Sequence, residues 1–300
     1  MSLVALLAAG AALLLAPWVA ARLFDGRAPA RIVATFHVLA LVGMLMLPVV
    51  LLACVAMVRP GGAVVGWTAG SLVAGYAVRV AVIAVRLARQ TSQLAASTAG
   101  LPRSSEMDVH VLATGKPLAY ALGAAVVISR GLLDVLDPCE RNAVLAHEFA
   151  HVRLGHHRLL LLGRVAVAAL GRVMPVRSAY AVLARELEVL ADQAAIEEVG
   201  ERWVLARALA KAVLADTPAP VAGLVSGGER DLAYRLDRLT STPPAQDRRW
   251  VARWAAALLA VALLVILAVT FPPTGIAVGP AALALGWLYC RAVRPPSSLG

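Results

Sequence analysis

Five long apolar runs decide most of what this chain can fold into. They cover roughly residues 2–20, 32–58, 63–85, 254–271 and 275–290. A helix needs about 20 apolar residues to cross ~30 Å of hydrocarbon, so the first four read as transmembrane helices. The fifth is shorter and contains Pro280, but Trp287 and Tyr289 at its end suit a membrane interface, and it reads as a further span. Hydrophobic residues fill 60% of the 300 positions, which is too many for an ordinary soluble domain. No basic residues precede the first run, so it is expected to stay as an anchor and not to be cleaved as a signal peptide.

Arginine placement sets the expected orientation. Arg22, Arg27 and Arg31 lie between the first two runs, and Arg86 and Arg89 follow the third. Arg248, Arg249 and Arg253 precede the fourth, and Arg291 and Arg294 follow the fifth. The alternate short loops hold only Arg59. Basic loops stay in the cytosol, which puts the N-terminus outside a cell membrane and the middle of the chain inside. The same pattern accounts for the net charge of +10. No nucleic-acid recognition motif accompanies that charge, so the lipid bilayer is the expected partner and nucleic acid is not. The three cysteines, Cys54, Cys139 and Cys290, have no metal-ligand spacing and suggest no disulfide framework.

The chain thus divides into 1–89 with three spans, a polar domain over 90–250, one or two spans over 251–292, and a disordered tail at 293–300. Within the middle, 90–105 is rich in Ser, Thr and Gly and reads as a linker. The β-branched segments 108–114 and 124–129, with "PLAYALG" between them, predict a small sheet. Asp137 as N-cap, Pro138 at the first position and Glu140 in the first turn predict a helix start. Pro175 should end the next apolar stretch, and a further helix should run from Ser178 to Val199 and stop at Gly200. The fold class is mainly α.

The predicted helix from Asp137 carries "AHEFAH" (146–151). His147 and His151 are four positions apart, so they lie about 40° apart on one face and can reach one metal ion. Glu148 can then address a metal-bound water without ligating the metal. This is the HExxH pattern, in which zinc acidifies water and the glutamate takes its proton. The flanking Val144, Leu145, Phe149 and Val152 make the helix a buried one, and burying these polar groups without a shared task would be costly. A catalytic zinc site needs three protein ligands and an open position. "RELEVLADQAA" (185–195) offers Glu188 as the third ligand, with Asp192 one turn on as an acceptor that orients a ligand histidine. Glu186 is the rival ligand, although its Arg185 neighbour suits a solvated face. His156 would turn to the opposite side of a continuous helix, which makes it a structural or rim residue, and His110 in a strand reads the same way. In 157–174, Arg158, Arg164 and Arg172 share one arc. That segment either lies along the inner membrane surface or packs in the core with one wet face.

With these residues the chain resembles the BlaR/MecR-type family of integral membrane zinc metallopeptidases, in its short, sensor-less bacterial form. It is more distantly similar to HtpX-type and CAAX-prenyl-type proteases. The resemblance covers about 110–200 and rests on "AYALG" (119–123), "VVISRGLLDVL" (126–136), "ERNAVLAHEFAHVRLGHH" (140–157) and "ELEVLADQAA" (186–195). It implies a cytosolic gluzincin-like α+β domain that binds one Zn2+ per chain through His147, His151 and Glu188, with Glu148 as base. It also implies that an edge strand near Leu118–Gly123, including Ala119, Tyr120 and Ala121, takes substrate as an added strand. Arg235 resembles a downstream basic position that could stabilise the oxyanion; a solvated helix arginine is the other reading. Sensor-type members carry an extracellular domain after their last span, where this chain has a short tail, so sensing through such a domain is not expected.

The function expected is zinc-dependent endopeptidase activity on protein or peptide substrates at the cytosolic membrane face, in regulatory proteolysis. The alternative is a non-catalytic membrane scaffold with a structural metal site, which would have no need of Glu148.

Overall fold

The computed structural model describes residues 29–58, 62–98, 100–104, 107–171, 173–215 and 229–240. The runs at 2–20, 254–271 and 275–290 and the tail at 293–300 lie outside the described residues.

Two long helices come first, α1 (Ala30–Val58) and α2 (Gly62–Thr98). Stretches of both, Ala30–Leu52 and Val64–Thr98, are long and apolar enough to cross a membrane. On α1 the buried side chains recur every three or four positions, at Val33, Ala34, His37, Leu41, Met44 and Leu45, and form one stripe. The opposite face is also apolar, with Leu39, Val42 and Met46 exposed, and α2 exposes Val64, Trp67, Leu72 and Val78. Helices that are apolar all round suit a lipid surrounding. Tyr76 of α2 donates to the Leu45 carbonyl at 3.0 Å and ties the pair together. His37 bonds within its own helix, with Nδ1 2.7 Å from the Val33 carbonyl oxygen.

The expected linker at 90–105 is largely helical, because α2 runs on to Thr98. Its polar residues do not interrupt the helix: Thr91, Ser92, Ser97 and Thr98 each turn a hydroxyl back onto a carbonyl of the preceding turn. Only then do Gly100 and Pro102 break the run.

A four-stranded sheet follows, in the order β1-β2-β4-β3. The strands are β1 (Arg103–Ser104), β2 (Val109–Leu112), β3 (Ala119–Leu122) and β4 (Ala125–Ser129). The β2–β4 pair is parallel and the other two pairs are antiparallel. β4 is central and buried, whereas β3 forms an edge. Ser129 then caps the short α3 (Arg130–Val135), its Oγ accepting from Leu132 N at 3.1 Å.

The remaining helices are α4 (Pro138–Arg153), α5 (His156–Leu170), α6 (Met174–Val199), α7 (Arg202–Ala215) and α8 (Glu229–Thr240). α4 starts as expected: Asp137 accepts from Glu140 N at 2.9 Å, and the Glu140 carboxylate accepts from Asp137 N at 2.8 Å. α6 begins four residues earlier than the expected Ser178, because Pro175 occupies its first turn and does not end a preceding element. Gly200, with φ +85°, closes α6 as expected.

Two cores result. One joins the sheet to α3, α4 and α7 through Ile128, Leu132, Val144, Leu205 and Leu209. The other joins the α1 stripe to α5 and α6 through Leu41, Met44, Ala166, Ala169, Leu183 and Leu187. α5 therefore packs inside a helical cluster, with Arg158 and Arg164 exposed and its apolar face covered jointly by α1, α2 and α6. This is the packed alternative for 157–174, with part of the cover supplied by the candidate spans.

Candidate metal centre

The site lies where α4 faces α6, between the two cores. The start of α4 is anchored to α7: Glu140 is buried and pairs with Arg207 and with Lys211 at 2.7 Å, and Asp137 pairs with Arg207 at 2.8 Å. Three turns on, His147 and Glu148 are buried and His151 is nearly so. α6 presents Glu188 and Asp192 one turn apart, both buried.

The side chains converge closely. His147 Nε2 and His151 Nε2 are 3.1 Å apart. Glu188 Oε2 lies 3.5 Å from His147 Nε2, and Glu188 Oε1 lies 3.6 Å from His151 Nε2. Among the described residues, His147, His151 and Glu188 form the group able to hold a metal ion. Ligand atoms about 2.0–2.2 Å from a tetrahedral ion are about 3.3 Å apart, close to the separations seen here. Charge agrees with geometry. Glu188 and Asp192 are buried carboxylates that share one buried guanidinium, Arg235, with the Glu148 carboxyl buried beside them, and a cluster so rich in acids suits a divalent cation. The residues present therefore fit a divalent metal ion.

Asp192, expected to orient a ligand histidine, has its Oδ1 2.9 Å from His147 Nδ1. A bond there leaves the Nε2 lone pair of His147 free for a metal. Arg235 comes from α8 and is not a solvated helix arginine: it is 2% exposed. Its Nε and Nη2 donate to the Asp192 carboxylate at 2.8 and 2.6 Å, and its Nη1 lies 3.0 Å from Glu188 Oε2. Its guanidinium is thus directed at the two acids that hold the site. Glu186, read from sequence as a solvated rival ligand, is buried and turned away from the cluster. It accepts from Tyr234 Oη of α8 at 3.2 Å, so a helix docking from later in the chain covers the face that Arg185 suggested was wet.

These surroundings set the ionisation of each group. Burial pushes the Glu148 carboxyl up to about 7, and the neighbouring His147 opposes that rise. Burial works against charging His147, yet its bonds to Asp192 and Glu188 prevail and raise it to about 9. Burial pushes His151 down to about 3. Burial also opposes the charge on Asp192, but Arg235 beside it holds its carboxyl well below the ordinary carboxylate range.

Ala119, Tyr120 and Ala121 lie on the edge strand β3, which packs against α4. Sequence reasoning missed the contact made by His156. Leu154 closes α4, and Gly155 at φ +65° turns the chain, so the continuous helix assumed in placing His156 does not exist. The turn returns His156 to the site, with its Nδ1 3.0 Å from His151 Nδ1 and the residue 2% exposed. The signal was available in "LGHH", where glycine follows the last residue of the motif helix.

A helix bearing HExxH, a second helix supplying a carboxylate, and a sheet edge beside them make up the site of a metallopeptidase-like fold. The chain belongs to Peptidase family M48, which matches residues 83–253. It is similar to a protease HtpX homolog of Desulfatibacillum aliphaticivorans, at 37% identity over 87 residues, which cover 27% of this chain and 26% of that protein. A second HtpX homolog, from Acidiphilium cryptum (strain JF-5), is 38% identical over 93 residues, covering 29% and 30%. The matched stretch therefore spans under a third of these curated relatives. These relatives carry the kinship with HtpX-type proteases, the more distant of the two resemblances in the motifs, and not that with BlaR/MecR-type peptidases. No solved structure matches.

Proposed function

We propose that this chain is a membrane-bound zinc endopeptidase that hydrolyses peptide bonds at the cytosolic membrane face, in regulatory proteolysis. The carrying observation is the convergence of His147, His151 and Glu188 on one point, with Glu148 buried beside them. One zinc ion per chain would be held by those three residues. The chemistry that bound zinc supplies there is Lewis acidity toward water and the scissile carbonyl.

The chain's own groups do the rest. Glu148, raised toward neutrality by burial, accepts the proton of the attacking water and delivers it to the leaving amine. Asp192 holds the ring of His147, and Arg235 holds both Asp192 and Glu188. An extended substrate pairs with the β3 edge at Ala119–Ala121, which aligns its backbone beside Glu148. The exposed apolar faces of α1 and α2 support membrane residence, and the arginine distribution supports a cytosolic site.

The test is Glu148→Gln in the full chain in detergent, with zinc content and casein cleavage measured against wild type. Zinc retained with cleavage reduced about 10²–10⁴-fold supports the reading. Undiminished cleavage refutes the role of Glu148. A wild type that binds zinc without cleaving any substrate leaves the scaffold alternative.

A further inference from the structure

Ligand histidines need a partner on the ring nitrogen that faces away from the metal. That partner is most often a carboxylate or a carbonyl, and it fixes both the tautomer and the ring angle. His147 has such a partner in Asp192. For His151 the corresponding position is filled by an imidazole. His156 Nδ1 lies 3.0 Å from His151 Nδ1, and the two rings meet edge to face at 86°, with centroids 4.8 Å apart.

We propose that His156 is the positioning residue of the second metal ligand, accepting the Nδ1 proton of His151 so that the His151 Nε2 lone pair faces the metal. The inference rests on the zinc-centre reading above. A metal-facing Nε2 lone pair on neutral His151 requires the proton on Nδ1, and that proton then points at the nearest acceptor, the Nδ1 of His156. His156 must then carry its own proton on Nε2. The choice of an imidazole follows from the charge in the pocket. Glu148, Glu188 and Asp192 already place three buried carboxyl groups in the pocket beside Arg235. A carboxylate at position 156 would add a fourth buried acid, whereas a neutral ring orients His151 without adding charge. Gly155 makes the contact possible, because its left-handed turn ends α4 and swings the first residue of α5 onto the last ligand of α4.

The experiment uses the full chain in detergent, stripped of metal and titrated with zinc against a competing chromophoric chelator. His156→Phe keeps the ring but offers no acceptor, whereas Asn places Oδ1 near the position of Nδ1. We expect zinc affinity to fall 10–100-fold in His156→Phe. In His156→Asn it should stay within about twofold of wild type, the scatter of an otherwise neutral exchange. With Co2+ in place of zinc, the visible absorption bands of the Phe variant should shift while those of the Asn variant do not. Should the Phe variant fail to fold, His156→Ala against His156→Asn reads the same contrast. Wild-type affinity in the Phe or Ala variant overturns the proposal, as does an equal loss in Phe and Asn. A wild type that takes up no zinc overturns the zinc-centre reading itself, before any substitution is made.

Discussion

Replacing Arg235 with methionine tests the electrostatic account of the site most directly. The guanidinium is 2% exposed and makes contacts of 2.8 and 2.6 Å to Asp192 and of 3.0 Å to Glu188. Methionine fills much of the same volume, so the main loss is charge. Removing one partner of a buried ion cluster typically costs about 3–5 kcal/mol, because the other partners stay buried without compensation. At about 2–4 °C per kcal/mol for a domain of this size, the melting temperature should drop by on the order of 6–20 °C. A surface arginine would move it by no more than about 0.5 kcal/mol, or roughly 2 °C. The assay is thermal unfolding of the full chain in detergent by circular dichroism at a fixed scan rate, with and without zinc. Zinc should recover part of the loss, since it supplies positive charge to Glu188. The double variant Asp192→Asn/Arg235→Met should lose less than the sum of the two single variants by about 0.5–3 kcal/mol. A single variant melting within about 2 °C of wild type, or strictly additive losses, would refute the reasoning.

Further outcomes follow from the same geometry. Glu188→Gln should lower zinc affinity in chelator competition, while Glu186→Gln, which touches only the Tyr234 and Arg185 side of α6, should leave it unchanged. Gly155→Ala should cost about 1–2 kcal/mol in thermal unfolding, because it forces a side chain into the left-handed region, and Gly155→Asn should cost less. The anchor of α4 should weaken in acid. The Asp137 carboxyl is lowered, first by the Glu140 backbone amide and then by Arg207 and Lys211. Burial opposes the charge on Glu140, but Lys211, the Asp137 amide and Arg207 outweigh it and lower that carboxyl too. Folded values below the unfolded ones mean that the stabilisation is complete above about pH 5, past the unfolded values, and is lost as pH falls through the folded values. The gap in melting temperature between wild type and Arg207→Gln should therefore shrink below that pH.

What the sequence disclosed was mostly local. Asp137, Pro138 and Glu140 mark the start of α4 within four residues, and the HExxH and ExxxD spacings place four side chains on two helical faces. The β-branched runs that became β2 and β4 were legible as strands for the same short-range reason, whereas the edge strand at 119–122 came from the family resemblance and not from a pattern of its own. The unforeseen parts depend on partners distant in the chain. Glu186 is buried because Tyr234 arrives 48 residues later, and Arg235 is buried because Asp192 stands 43 residues before it. Neither pairing has a periodic signature. β1 has two residues, too few for any pattern, and the continuation of α2 hides behind hydroxyls that bond back to their own helix. His156 was misplaced by one backbone angle, at Gly155.

The stripe of α1 carries a practical corollary. Leu41 and Met44 share a core with Leu183 and Leu187, and Leu187 immediately precedes Glu188. The portion that carries the candidate site is therefore packed against α1 and is not a separate head on a detachable stalk. Expressed from residue 90 onward, without α1 and most of α2, it should show a bare greasy wall along the helix that carries Glu188, and it should clump in solution before any activity could be assayed.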